Sequence, residues 1–309
     1  MKSKSSSNRR SKTVADTGED RLVAMLIRGV PQTARTLAGP GDDCAVIRTG
    51  DKSRLTLFKT DALVENIHFT PDTDAARVGW KALCRTVSDV AAMGGEPCEA
   101  LITLALPPEA RVLWVEQLYR GIAKAPRQFG CGIAGGETTS TPPGAPVMIS
   151  VALLGTVRKK YLVSRSGGRS GDAVCVTGRL GGSIHGHHLD FTPRLAEARW
   201  LVRNVKPTAM MDLSDGLGKD LPRLADASGV GYRIDPELLP CRTGCSPGQA
   251  AGDGEDYELL FTLAPKHLAG LQQKWRRAFP DVPLTCIGVL TEDSSQRTPL
   301  RGGWEHFRR

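Results

Sequence analysis

The chain has 309 residues, 40% of them hydrophobic and 24% charged, with 34 glycines and a formal charge of +8. That balance belongs to a turn-rich globular protein and excludes a disordered or fibrous chain. The length exceeds the size at which a single core usually stops growing, so two domains are expected. No apolar run approaches the roughly 20 residues that a membrane span requires.

Residues 1–12 are rich in Ser, Lys and Arg with no apolar stretch behind them, so residues 1–16 read as a loose basic tail rather than a secretory signal. Cytoplasm is the expected address. Part of the positive charge lies in that tail (Lys2, Lys4, Arg9, Arg10, Lys12), and no basic stripe interleaved with aromatics follows. Nucleic acid is therefore not the expected partner, and small anionic substrates account for the remaining charge. The eight cysteines are scattered. The one close pair, Cys241 and Cys245, lacks the second pair or histidines of a zinc site, so all are expected to be reduced thiols.

In chain order, Thr17-Gly18-Glu19-Asp20 marks a helix start, with Leu22, Met25 and Leu26 at helical spacing behind it. Two β-rich runs, 44–47 and 55–59, bracket a turn at Gly50-Asp51, and the second leads into Thr60-Asp61, which places Asp61 at a strand's end. Between 77 and 93, Trp80, Leu83, Cys84, Val87 and Ala91 recur at i, i+3, i+4, i+7 and i+11. This predicts an amphipathic helix ending at Gly94-Gly95, with Lys81, Arg85 and Asp89 on its other face. A strand at 101–106, a helix at 108–127, a short strand at 132–135 and a strand at 147–157 complete the first half.

A domain boundary near residue 160 divides the chain into 17–160 and 161–309. The second half opens on a Gly-rich loop, 164–172, then a strand at 173–177, a loop at 178–182 and a helix at 193–203. A strand at 209–213 precedes a helix at 219–228, whose Pro222 fits only in a first turn. Further strands are expected at 231–234, 257–263 and 285–289, with a helix at 265–278. This alternation predicts an α/β (α+β) fold rather than a bundle or sandwich.

Acidic residues stand at the ends of these elements: Gly41-Asp42-Asp43, Thr60-Asp61, Ser88-Asp89, Gly136-Glu137 and Asp212-Leu213-Ser214-Asp215. Gathered carboxylates repel one another unless a cation such as Mg²⁺ neutralises them and recruits a phosphate-bearing substrate. Taken singly, each has a plainer role as a turn former or helix cap. Asp89, four residues after Arg85, could form a solvated ion pair worth about 0.3–0.5 kcal/mol. The helix after Asp215 could offer backbone N–H groups to an anion. The run 178–183 is neither a P-loop nor a dinucleotide fingerprint. His185, His187 and His188 lack metal-ligand spacing and read as hydrogen-bonded or solvated. Nothing suggests covalent catalysis.

Taken in order, Gly41-Asp42-Asp43-Cys44-Ala45-Val46, Thr60-Asp61-Ala62-Leu63-Val64, His68-Phe69, Ser88-Asp89-Val90-Ala91-Ala92-Met93-Gly94, Met211-Asp212-Leu213-Ser214-Asp215-Gly216-Leu217 and Gly254-Glu255-Asp256-Tyr257-Glu258-Leu259 resemble the thiamine-monophosphate kinases. These enzymes lie within the aminoimidazole-ribonucleotide-synthetase-like superfamily, and the resemblance runs from about Gly41 to Phe307. It implies two α/β domains, with 17–160 binding ATP and Mg²⁺ and pairing its sheet with that of a second copy to form a dimer barrel. It implies that ATP gives its γ-phosphoryl to thiamine monophosphate, without a covalent nucleophile or general base. By the same resemblance Asp43, Thr60, Asp61, Asp89, Glu137, Asp212 and Asp215 are Mg²⁺ ligands. Gly136, Arg165 and Ser214 are ATP contacts, and His68, Glu255 and Trp304 meet the thiamine phosphate.

Four positions depart from that pattern. Lys59 replaces a small hydroxyl residue, Glu137 an Asp, Ser140 an Arg, and Asp253 the first Gly of a Gly-Gly-Glu-Asp run. The alternatives are an ATP user of the same superfamily with a different phosphorylated substrate, or a nucleotide-binding homologue without turnover. Selenophosphate synthetase would want a reactive residue nearer the amino terminus than Cys44, and a hydrogenase-maturation dehydratase would want a terminal Cys.

Overall fold

Period-two alternation of apolar side chains builds two sheets in the computed structural model, which describes residues 12–307. The first contains β1 (Thr36–Ala38), β2 (Ala45–Ile47), β3 (Arg54–Val64), β4 (Glu96–Leu106), β5 (Gly132–Ser140) and β6 (Met148–Arg158). Its strand order is β1-β2-β3-β6-β4-β5, antiparallel except for the parallel pair β4–β5. The second contains β7 (Ala173–Thr177), β8 (Ala209–Asp212), β9 (Gly231–Ile234), β10 (Leu259–Leu263) and β11 (Leu284–Thr291). All its pairs are antiparallel, in the order β8-β10-β7-β11-β9. This is the expected mixed α/β class.

In β3, Leu55, Leu57 and Leu63 face inward while Phe58 is exposed on the opposite face. The helix Ala75–Ala92 covers the inner face, capped by Asp74, whose carboxylate accepts from the Arg77 N–H. Its other side packs on the helices His187–Asp190 and Leu195–Asn204 of the second half, so it is buried nearly all round. One apolar cluster accordingly runs through both halves, from Leu57 and Val87 to Leu201 and Trp275. A second cluster fills the far side of the five-stranded sheet with Val174, Val176, Met211, Leu221 and Leu260. Strand β7 divides its side chains between the two, Ala173 and Cys175 to one and Val174 and Val176 to the other.

The structure moves several expected boundaries. β3 continues past Asp61 to Val64 because it pairs with β6 along its whole length, so Asp61 lies inside a strand rather than at its end. β5 extends to Ser140 through parallel pairing with β4, which puts Gly136-Glu137 inside an edge strand. A Cβ at Gly136 would meet the Ile102 carbonyl oxygen at 1.9 Å, so the close strand approach requires glycine there. The expected helix 108–127 divides into Val112–Ile122 and Lys124–Phe129. The expected helix 265–278 keeps only Leu271–Ala278, because Gly270 turns left-handed at φ 73. The helix Leu217–Ser228 begins early enough to place Pro222 in its second turn, where it has no N–H for the Gly218 carbonyl. Of the expected tail, residues 1–11 fall outside the described residues, while Val14–Thr17 form one helical turn closed by a Thr13–Asp16 capping box. Among the described residues no helix is long and apolar enough to cross a membrane.

Candidate active site

The loop before β2, the last turn of the helix Ala75–Ala92 and the last residue of β8 bring Asp43, Asp89 and Asp212 together. A carboxylate oxygen from each lies within 4.8 Å of the others, and all three side chains are buried. Asp43 Oδ2 is buried without a hydrogen-bond partner. Three converging carboxylates, one of them with an unsatisfied oxygen, suit a hard divalent cation. Burial, reinforced by the Asp43 carboxylate, pushes Asp212 up to about 6 despite a hydrogen bond from Ser88 Oγ at 2.6 Å. Burial also drives Asp89 well above the usual carboxylate range. The cluster therefore stores repulsion that a cation would relieve.

Basic side chains rim this centre. Arg165 Nη2 stands 2.6 Å from Asp43 Oδ1, while its Nε is buried without a hydrogen-bond partner. Lys59 Nζ lies 2.7 Å from Asp89 Oδ1, so the simple Arg85–Asp89 pair is absent. Arg85 turns instead to Asp61, with Nε 3.1 Å from Oδ2, and donates to the Ala62 carbonyl. Asp215 sits 2.7 Å from Arg223 and 3.0 Å from Lys219, and these two cations outweigh its burial and hold its carboxyl below the usual range.

Asp220 organises the loop after β8. Its Oδ2 accepts from the backbone N–H groups of Ser214, Asp215 and Gly216 at 3.1, 3.0 and 3.1 Å. Those three donors, which precede the helix Leu217–Ser228, are consumed within the protein. Nothing in the sequence distinguished Asp220 from an ordinary helix residue.

Beside the carboxylates opens a pocket of about 370 Å³ whose walls include His68, Arg85, Ser214, Asp215, Glu255 and Trp304. The Val64 N–H donates to His68 Nδ1 at 3.0 Å, which leaves the ring proton on Nε2. Burial, with Arg85 nearby, pushes His68 down to about 4 and keeps it neutral. Glu255 adopts φ 54, a left-handed conformation that side chains rarely take, and its N–H donates to the Ser214 carbonyl at 2.7 Å. Its carboxylate lies 2.6 Å from Lys81 Nζ, which also donates to the His68 carbonyl at 2.9 Å. Burial lowers Lys81 to about 8 against the pull of Glu255. Trp304 lines the pocket, 45% exposed, and its backbone N–H donates to the Asp215 carbonyl at 2.8 Å.

The structure thus gathers Asp43, Asp89 and Asp212 in one place and His68, Glu255 and Trp304 in another, with Ser214 and Asp215 on the pocket wall. Thr60 and Asp61 are neighbours in a strand, so their side chains leave opposite faces, and Thr60 is exposed. Glu137 is exposed on β5, apart from the buried trio. Lys81 escaped the sequence reading because it shares the polar face of its helix, and its partners, the His68 carbonyl and Glu255, come from loops that only the fold brings there. Among the histidines, His188 Nδ1 lies 2.8 Å from the Ser183 carbonyl and His187 Nε2 3.3 Å from that of Asp256, while His185 lines the pocket.

Residues 41–157 match the family model described as AIR synthase related protein, N-terminal domain. The chain is 37% identical over 281 residues to a thiamine-monophosphate kinase of Rhodopirellula baltica, with 85% of each chain covered. It is 34% identical over 295 residues to the thiamine-monophosphate kinase of Escherichia coli, covering 86% of this chain and 87% of that one. Its backbone follows a solved structure of AaThiL complexed with AMPPCP and TMP at 30% identity and a TM-score of 0.83, covering 96% of this chain and 99% of the other. At this identity and coverage, this chain belongs to the thiamine-monophosphate kinase family.

Proposed function

We propose that the chain transfers the γ-phosphoryl group of ATP to the phosphate of thiamine monophosphate, giving thiamine diphosphate and ADP. The observation that carries the reading is the adjacency of the buried trio Asp43, Asp89 and Asp212 to the pocket holding His68, Glu255 and Trp304. Relatives named as thiamine-monophosphate kinases, and a similar structure holding AMPPCP and TMP, support it.

Phosphoryl transfer needs positioning and charge neutralisation more than covalent chemistry. Asp43, Asp89 and Asp212 would hold Mg²⁺, which when bound supplies positive charge to the phosphates. Asp61, Asp215 and Glu137, with the Thr60 backbone, would contribute as ATP brings further ions, while Gly136 allows close backbone approach. Arg165 holds Asp43 by one guanidinium nitrogen and would contact ATP. Ser214, at the junction of centre and pocket, would contact the nucleotide. Neutral His68 presents Nε2–H to the acceptor phosphate, Lys81 fixes the Glu255 carboxylate, and the Trp304 face suits a cationic thiazolium. The acceptor phosphate is already anionic, so its attack requires no strong general base.

We further infer domains at 17–160 and 161–309, and a homodimer joined through the first sheet. Phe58, Leu101, Met148 and Leu154 stand exposed together on that sheet's uncovered face, as a buried subunit interface requires. A cytoplasmic address accords with an ATP-consuming biosynthetic step. Purified protein given ATP, Mg²⁺ and thiamine monophosphate should form ADP and thiamine diphosphate in equal amounts, and neither product without the monophosphate. ATP binding without either product would overturn the kinase reading.

A further inference from the structure

Lys59 is the one feature of the acidic centre that phosphoryl transfer by itself does not explain. Strand alternation points it, like Asp61, to the covered face of β3, and the long-range ladder with β6 fixes that orientation. Its ammonium ends 2.7 Å from Asp89 Oδ1, within the group of carboxylates that also contains Asp43 and Asp212.

The neighbouring aspartates divide unequally between internal cations. Asp43 Oδ1 has Arg165, Asp61 has Arg85, and Asp215 has Arg223 and Lys219. Asp212 is met by the neutral hydroxyl of Ser88, and Asp43 Oδ2 has no hydrogen-bond partner. Unmet negative charge is thus concentrated at Asp212 and the free oxygen of Asp43, whereas one oxygen of Asp89 is already neutralised. A divalent ion approaching that oxygen would have to displace Lys59 or endure its repulsion at close range.

We propose that the Lys59 ammonium is a built-in cation on one oxygen of Asp89, standing in place of one divalent ion that this carboxylate cluster would otherwise recruit, and leaving divalent binding to Asp43, Asp212 and the other oxygen of Asp89. The inference rests on the reading of the cluster as a metal centre. A protein arranged in this way holds part of its positive charge permanently and depends on fewer free ions for the rest.

The experiment counts Mn²⁺ bound per full-length chain by electron paramagnetic resonance at a saturating, non-hydrolysable ATP analogue, with circular dichroism to verify folding. Lys59→Ser removes the ammonium and opens space, and Lys59→Met removes it at similar volume, so one remains informative if the other fails to fold. Both variants should bind one more Mn²⁺ per chain than the wild type, while Asp212→Asn should bind fewer. Equal counts in the wild type and the Lys59 variants, with Asp212→Asn still reduced, would overturn the role of Lys59 alone. An unchanged count in Asp212→Asn would remove the metal centre itself, and this inference with it.

Discussion

The acidic centre and the neighbouring pocket solve opposite electrostatic problems with the same materials. At the centre, buried carboxylates face one another, one oxygen has no hydrogen-bond partner and Asp212 rises to about 6. In the pocket, Glu255 is matched by Lys81 and His68 is held neutral. The first is tense until a cation arrives, and the second is preorganised before any ligand does. Site residues therefore cannot be ranked by burial alone: burial with unmet charge points to an absent ion, whereas burial with matched charge points to positioning.

The largest effect should come from the tense region. Asp212→Asn and Asp89→Asn should each lower Mg²⁺-dependent turnover by at least about 10³-fold, in line with losses when charge stabilisation is removed from a transition state. The melting temperature of Asp212→Asn should hold or rise, because that change relieves repulsion, whereas that of Asp89→Asn should fall, because it strips Lys59 of its carboxylate partner. Wild-type rates in both variants would end the contrast as drawn.

In the preorganised region the expected order is reversed, with stability suffering first. Lys81→Met strips a buried partner from Glu255 and should cost about 3 kcal/mol in denaturant unfolding. It should also raise the KM for thiamine monophosphate about tenfold or more, with little change for ATP. Equal effects on both substrates would mean that Lys81 acts on the fold generally rather than on the pocket.

Acidity should separate the regions further. Asp42 and Asp212 both rise to about 6, chiefly through burial with Asp43 adding repulsion. Each binds its proton more tightly in the folded chain than in the unfolded one, so stability grows as pH falls through 6 toward 4 and is lost as pH rises through 6. From pH 7 to 5 their contribution should raise the melting temperature by a few degrees in metal-free protein. The stabilisation conferred by added Mg²⁺ should shrink over the same interval. The smallest effect belongs to Trp304, which is half-exposed: Trp304→Ala should raise the KM for thiamine monophosphate roughly threefold to thirtyfold, the range of a cation–π contact.

Much of the element order was legible because apolar spacing is a local property. The helix over Trp80, Leu83, Val87 and Ala91 and the strand at 173–177 needed nothing beyond their own neighbours. The misjudged limits lay where pairing partners decide. β3 and β5 continue through Asp61 and Glu137 because β6 and β4 supply ladders that no local pattern announces. Lys81 and Asp220 were missed for the same kind of reason, since one is matched by Glu255, more than a hundred residues away, and the other gathers the backbone of the loop before it.

The sequence by itself determined the mixed α/β class, the family and the chemical type of each site residue, because motif, spacing and periodicity are written along the chain. Tertiary structure alone decided that Asp43, Asp89 and Asp212 converge, that Thr60 and Asp61 diverge, that Arg85 serves Asp61, and that Lys59 serves Asp89. The physical reason is that electrostatic energies depend on separation in space and on burial. Both are set by packing between segments that the linear order keeps far apart.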